Sequence, residues 1–536
     1  MRIKGIPRNL LLLYVLAVSA AISLAIYKFY ALAYHTDFSF YMQFAAKLLD
    51  PELSKRYTYN ASGHNFFGLT GMEGEYGFHP ALHFEPVKYI YALVYRLLGG
   101  HFAVMALYAL LYFLPVLYFA RVKRADRLPD KSLVYLFAAA YIAFPSTFMA
   151  VNNDLRPRML FNAAIPLVLF AVHFRRPLWE RAGAFLLLFL LREESLMFAL
   201  PLIGYNYLRA DDPAEGGRST RVLAALWLLA AGGTAAFYIQ SGYTYDPRWN
   251  SFTSVLESPA RMLLAAALGI GLFWGISYAR HFSRRRQGPF PNWLVKLAYW
   301  AGTSPQALAK LLAELAVFAL LLAPIAGQFL ILMEELVIKY DLVGRRAWLA
   351  TAANTIIYSE HLTIFCVVCL LGAVLLWEGL PGERRRNSLQ IALVLGVVAG
   401  AVLTAANFED MRLYWGRSVQ QIEFSPEYTQ EIFDLRAVTD KASTAVLTDY
   451  QTYQAFYDYE RAFIFRRLPW FLLQGDARLF PANRPELERL LLREIEFIAI
   501  AQDESADLLP LVEGLGLKLE QISAGERYVV YALVRE

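Results

Sequence analysis

The sequence predicts an α-helical polytopic membrane protein of about eleven spans, followed by a small carboxyl-terminal extracytoplasmic α/β domain. Three observations carry that class. The 536 residues are 57% hydrophobic and 15% aromatic with a mean hydropathy of +0.36, more apolar than a soluble domain requires, so lipid is part of the solvent. The apolar residues collect in successive runs, most of them about as long as a bilayer core demands. Basic residues sit in short clusters between those runs, and the clusters alternate sides as the positive-inside rule requires.

The first run, Leu10 to Tyr27, follows Arg2, Lys4 and Arg8 and resembles the front of a signal peptide, with small residues at Ala17, Ser19, Ala20 and Ala21. Its length and the spans that follow favour an uncleaved signal anchor. Further runs fall at about 102–120, 132–151, 159–174, 182–191, 196–208, 221–240, 261–279, 311–331, 355–377 and 388–406, the first closing near residue 31. An odd number of spans places the two termini on opposite sides. With a cytoplasmic amino terminus, the inside segments hold Arg121, Lys123, Arg124, Arg127 and Lys131, then Arg175, Arg176 and Arg181, then Arg209, Arg218 and Arg221. Later inside loops add Arg280, Arg284 to Arg286 and Arg384 to Arg386. The expectation is therefore an integral plasma-membrane protein with its carboxyl-terminal domain outside.

Between Ala182 and Tyr207, Arg192, Glu193 and Glu194 interrupt an apolar stretch. A single span would bury three charges near the bilayer centre, at roughly +2.5 to +3.5 kcal/mol for each unpaired one, and would invert every later loop. A hairpin of two short helices avoids both consequences. Such helices fall short of a full crossing, which predicts a charged tip sunk below the outer surface in a wet cavity.

Two outer segments are large. The first, 33–100, is polar and histidine-bearing, with an apolar piece from Val87 to Leu98 that is too short to span and suits the interface. The second, 407–536, follows the transmembrane domain of residues 1–406. In it, strand-like runs (Thr444 to Leu447, Phe497 to Ala501, Tyr528 to Val534) alternate with helical ones (Glu486 to Glu494, Ala506 to Leu515), as in an α/β domain. No internal repeat is visible, which weighs against an inverted-repeat transporter.

A net charge of +5, spread in orienting clusters, excludes nucleic acid as a natural partner. The two cysteines, Cys366 and Cys369, have redox spacing but lie inside an apolar run, where packed thiols fit better; they report no compartment.

Chemistry-bearing residues gather in the outer turns. Asp37 follows the first span and could take a proton from a hydroxyl as general base, although Asp is also a favoured cap for a helix over Phe38 to Leu49, and the cap carries more weight from sequence alone. His79, His83 and Glu85 lie within seven residues and could bind a divalent metal or hold a sugar, but Pro80 and Pro86 deny the two histidines a common helical face, and polar loop is the simpler account. In Asn152-Asn153-Asp154-Leu155-Arg156-Pro157-Arg158, Arg156 and Arg158 suit a lipid phosphate or pyrophosphate, while Asp154 could pair with an arginine or contact a sugar. Arginines that snorkel to headgroups are the competing explanation. The Arg192-Glu193-Glu194 tip carries the same ambiguity, since ion pairing alone could neutralise it. Glu409 to Arg417 mixes acids, arginines, Tyr414 and Trp415, which could stack a sugar or form an interfacial aromatic belt. Convergence favours function: four acid-bearing turns all fall on the outer side of the first six spans.

The order of these features resembles a family of prokaryotic membrane proteins related to the GT-C glycosyltransferases, among them protein mannosyltransferases and aminoarabinose transferases. The features are Asp37 after the first span, His83-Phe84-Glu85-Pro86 in a long first outer loop, an Asn-Asp turn after the third span and the Arg192-Glu193-Glu194 tip. The likeness covers most of residues 10–406. It implies a GT-C-like fold, a polyprenyl-phosphate-linked sugar donor, an outward-facing site and Asp37 as the catalytic carboxylate, with Glu85 and Asp154 as supporting acids. His79, His83, Arg156, Arg158, Arg192, Glu193 and Glu194 become substrate-binding candidates. The acceptor is a glycan, a lipid or a protein; the paired Asp-Glu of protein mannosyltransferases is missing, since Phe38 follows Asp37, and this counts against protein. A transporter or flippase of a lipid-linked sugar would use the same arginines without chemistry. A non-enzymatic assembly protein would leave the acids separately paired.

Overall fold

The computed structural model describes residues 6–32, 34, 36–47, 84–123, 128–143, 155–210, 213–241, 290–300, 304–340, 429–449, 451–459, 461–464 and 487–535, with isolated helical positions within 271–281 and 367–398. Its elements are α1 (Arg8–Tyr30), α2 (Thr36–Lys47), α3 (Val87–Leu98), α4 (His101–Lys123), α5 (Leu128–Ala143), a 3-10 turn (Pro157–Leu160), α6 (Phe161–His173), α7 (Leu178–Leu191), α8 (Ser195–Arg209), α9 (Pro213–Ser241), α10 (Asn292–Trp300) and α11 (Pro305–Tyr340). The carboxyl-terminal region adds α12 (Gln430–Val438), β1 (Ala445–Thr448), α13 (Tyr453–Phe456), β2 (Arg461–Ile464), β3 (Phe497–Ala501), α14 (Gln502–Gly514), β4 (Lys518–Ala524) and β5 (Tyr528–Val534). Among the described residues, four helices are long and apolar enough to cross a membrane: Arg8–Tyr30, His101–Lys123, Ala214–Phe237 and Pro305–Leu322. The protein is thus a predominantly helical integral membrane protein with a small carboxyl-terminal sheet. The expected runs at 261–279, 355–377 and 388–406, with Cys366, Cys369 and the segment from Glu409 to Arg417, lie outside the continuously described residues.

Contacts divide the chain into two units, one of Met1–Ala17, Leu111–Ala150 and Pro157–Thr404, the other of Val18–Leu110, Val151–Arg156 and Ala405–Glu536. The first unit is helical and is organised around α6, every residue of which is buried. A helix apolar on all faces belongs at a centre, and α7 and α8 pack against it, with α9 and α11 packing in turn on α8. Phe170 on α6 stacks on Phe119 with ring centroids 4.5 Å apart and meets Phe137 edge-on at 5.3 Å. The basic residues expected inside are drawn into ion pairs: Arg121 and Arg176 both reach Glu180, at 3.1 and 2.8 Å, and Arg209 reaches Glu314 at 3.1 Å.

The charged interruption at 192–194 does separate two short helices, α7 and α8, of 14 and 15 residues. The tip differs in its surroundings from the wet cavity expected of it: Arg192, Glu193 and Glu194 are 9, 1 and 2% exposed, enclosed by protein and by one another.

In the second unit, α3 occupies the residues read as the interfacial piece. It buries Val87, Lys88, Tyr91 and Ala92 and leaves Tyr89, Leu93, Leu97 and Leu98 outward, an amphipathic division suited to lying along an interface. Gly99 and Gly100, at φ +97° and +90°, end it in a conformation that only glycine adopts without strain. Helix α2 begins at Thr36, so Asp37 lies in its first turn and is not the residue before it.

The five-stranded sheet has the order β2-β1-β3-β5-β4. Strand β1 runs parallel to β2 and β3, while β5 is antiparallel to β3 and β4. Strands β3 and β5 match the expected runs, and β1 is shifted by one residue. Leu447, Ile498, Ile500, Val529 and Leu533 form its core with Leu487, Leu490 and Leu491 of the helical stretch 487–493 and Leu508, Leu511 and Val512 of α14. Strand β4 is an edge strand with mostly exposed side chains, and the apolar pattern does not announce it.

Candidate functional site

The candidate residues fall in both units. In the second unit, α2 and α3 pack together, so the helix carrying Asp37 lies against the one that starts just after Glu85. Glu85 is 3% exposed; its carboxylate accepts the Tyr41 hydroxyl at 3.3 Å and pairs with Lys88 Nζ at 2.6 Å. Lys88 stands one helical turn on from Glu85, so local spacing makes this pair, and its ammonium also lies 5.5 Å from the centre of the Tyr41 ring. The arrangement ties α2, through Tyr41, to the start of α3.

The turn at Leu155 and Arg156 belongs to the same unit. Tyr91 of α3 donates its hydroxyl to the Leu155 carbonyl and Tyr108 of α4 to that of Arg156, both at 3.4 Å. Burial, and the negative Glu85, push the Tyr91 hydroxyl well above its ordinary pKa, so it stays a donor. Leu155 has φ +58°, a left-handed conformation that costs a non-glycine residue about 1–3 kcal/mol and persists where surroundings over-determine it. Arg156 is thus presented by a strained turn held from two helices.

In the first unit, the 3-10 turn and the hairpin tip bring Arg158, Arg192, Glu193 and Glu194 together. Arg158 Nε lies 3.3 Å from Glu194 Oε2, and Arg192 Nε lies 3.6 Å from both Glu194 Oε2 and Glu193 Oε1. Two turns separated by more than thirty residues thus share one carboxylate. These contacts are longer than the about 2.7–2.9 Å of a charge-assisted hydrogen bond, and all four side chains are at most 13% exposed. Burying four charges among apolar helices is costly even when they are paired, which makes the cluster a functional candidate by default.

His79, His83 and Asp154 lie outside the described residues, as does the side chain of Asp37. No group of three or more His, Cys, Asp and Glu among the described residues could hold a metal ion. Sequence reasoning did not find Tyr41, Lys88, Tyr91 or Tyr108. Lys88 could have been found from its spacing to Glu85; the tyrosines act across the fold and leave no local signal.

No protein-family model matches the chain, and no curated protein sequence does. Among solved structures, it is similar to ArnT from Cupriavidus metallidurans in the apo state, at 14% identity and a TM-score of 0.36, over 96% of this chain and 97% of that one. It is likewise similar to ArnT from Cupriavidus metallidurans bound to undecaprenyl phosphate, at 15% identity and a TM-score of 0.40, over 97% of each chain. Likeness at these values carries no conclusion about activity, and the functional reading rests on the residues.

Proposed function

We propose that the protein is a membrane glycosyltransferase that moves a sugar from a polyprenyl-phosphate donor to an acceptor hydroxyl on the outer face, with inversion at the anomeric carbon. The observation that supports it best is the buried Arg158, Arg192, Glu193 and Glu194 cluster. A lipid phosphate needs fixed cations in a place its polyprenyl tail can reach, and guanidinium groups present paired donors to phosphate oxygens. Two arginines that converge on one carboxylate within a membrane unit meet that need, because their positive charge is already in place away from water.

In the reaction, Asp37 accepts the proton of the acceptor hydroxyl as its oxygen forms the bond to the anomeric carbon. The bond from that carbon to the phosphate oxygen breaks, its electron pair stays on the oxygen, and polyprenyl phosphate leaves. Arg156, Arg158 or Arg192 stabilises the charge that develops on the leaving phosphate. Glu85 supports the site by fixing α2 through Tyr41; Asp154, His79 and His83 are assigned to holding the sugar or a divalent metal. Membrane lipid surrounds the unit, and the acceptor is a glycan or lipid in preference to a protein. The amino terminus is placed in the cytoplasm and the carboxyl-terminal domain outside.

The test is turnover of polyprenyl-phosphate sugars by purified protein and its Asp37→Asn variant, with lipid binding measured in parallel. Transfer that is lost in the variant while lipid still binds is the expected result. Bound lipid-linked sugar that crosses the membrane unchanged, in both proteins alike, would establish the transporter instead.

A further inference from the structure

The carboxyl-terminal α/β domain reaches back to the turn that leads from α1 into α2. Leu32, fully buried, has φ +49°, so the chain leaves α1 through a strained left-handed residue. Two residues later the backbone of Tyr34 is held at both of its polar groups by one side chain: Gln454 Oε1 accepts the Tyr34 N–H at 3.0 Å, and Gln454 Nε2 donates to the Tyr34 carbonyl. A carboxamide supplies an acceptor and a donor side by side, which few other side chains can. Gln454 and Tyr34 are 1 and 4% exposed, so water cannot substitute for either bond.

Gln454 is itself fixed. It lies in α13, and the turn into that helix is organised by Asp449 at the carboxyl end of β1. Asp449 Oδ1 accepts the N–H groups of Gln451 and Thr452 at 2.7 and 2.8 Å, and Oδ2 accepts that of Ala501 at the end of β3, at 2.5 Å. The Thr452 hydroxyl donates to the Ala499 carbonyl at 2.6 Å. A continuous set of buried bonds therefore runs from two adjacent strands through α13 to Tyr34. The same face makes other contacts near the turn: Thr429 donates to the Tyr30 carbonyl at 2.5 Å and Phe433 packs on Phe29 and Tyr30, while within the turn Tyr34 stacks on Phe38 with centroids 4.1 Å apart.

We infer that the carboxyl-terminal domain is a positioning element for the Asp37 turn and that Gln454 is its positioning residue, clamping Tyr34 so that the strained exit from α1 delivers Asp37 in one place. The inference rests on Asp37 being the general base. It gives the outer domain a role within the transfer step: catalytic geometry depends on a side chain 420 residues away in sequence.

The experiment compares full-length wild type with Gln454→Leu, which keeps the bulk and removes both bonds, and with Thr429→Val, a milder change at the same face that keeps the question open if the first variant does not fold. Hydrogen exchange is followed at the amides of residues 34–40, and kcat and KM are measured with a polyprenyl-phosphate sugar. Expected for Gln454→Leu is exchange about tenfold faster or more at Tyr34 and the first turn of α2, with kcat lowered about tenfold and donor KM within about twofold of wild type. Thr429→Val should move both readouts in the same direction by less. Unchanged exchange in a folded variant overturns the clamp, and faster exchange with unchanged kcat overturns the positioning role. Faster exchange in a protein whose wild type transfers nothing upholds the clamp and rejects Asp37 as the base.

Discussion

Two buried charged groups in this protein are built differently. Around Glu85, one carboxylate and one ammonium meet at 2.6 Å a helical turn apart, with the Tyr41 hydroxyl on the same carboxylate. Around Glu194, two arginines from separate turns approach a shared carboxylate at 3.3 and 3.6 Å, with Glu193 alongside. The first is local and compact, and its consequence is that α2 is fastened to α3. The second draws together distant parts of the chain, and its carboxylate is shared between two guanidinium groups.

That contrast can be broken by substitution. Lys88→Met removes a cation 2.6 Å from the buried Glu85 carboxylate and should lower stability by roughly 3–5 kcal/mol, seen as a large drop in the denaturation midpoint in detergent. Arg192→Lys, which keeps a positive charge beside the buried Glu193 and Glu194, should instead cost little stability and weaken binding of polyprenyl phosphate by about tenfold, measured by titration with the lipid. If the two variants exchange phenotypes, the division of roles is wrong. A milder probe is Tyr41→Phe, which removes only a hydroxyl and should cost about 1 kcal/mol.

A third charged group sharpens the comparison because it lies outside the membrane. Burial works to raise the Asp458 carboxyl, but Arg436, bonded to it at 2.7 and 2.9 Å, and Lys441 at 2.6 Å hold it below the usual carboxylate range. A depressed folded pKa contributes stability above the unfolded value, near about 3.9, and that contribution is lost as pH falls through the lower folded value. Acid titration followed by thermal unfolding should therefore show a loss below about pH 4 that Asp458→Asn diminishes. A curve of the same shape in the variant would remove Asp458 from the account.

Much of the helical plan was legible because apolar runs and charge clusters are local signals. Val87 to Leu98 is legible as an apolar piece too short to span, which the structure makes a helix, and the break at Arg192 is legible from the cost of burying charges within a single span. Strands β3 and β5 announced themselves as short β-branched and aromatic runs, whereas β4, with Lys518, Glu520 and Gln521 along an exposed edge, had no such pattern. Arg158 and Arg192 were chosen singly, but nothing in the sequence said that they share Glu194. Gln454 was invisible, because a carboxamide becomes informative only when the backbone it grips is known. Asp37 was weighed as a cap, and the start of α2 at Thr36 moves it into the first turn.

The most direct test of the central claim is transfer of radiolabelled sugar from polyprenyl phosphate to a lipid and glycan extract by purified wild type and Asp37→Asn. The account predicts labelled product from wild type and a loss of at least about a hundredfold in the variant, with lipid binding retained. Product formed at a similar rate by both proteins would contradict it.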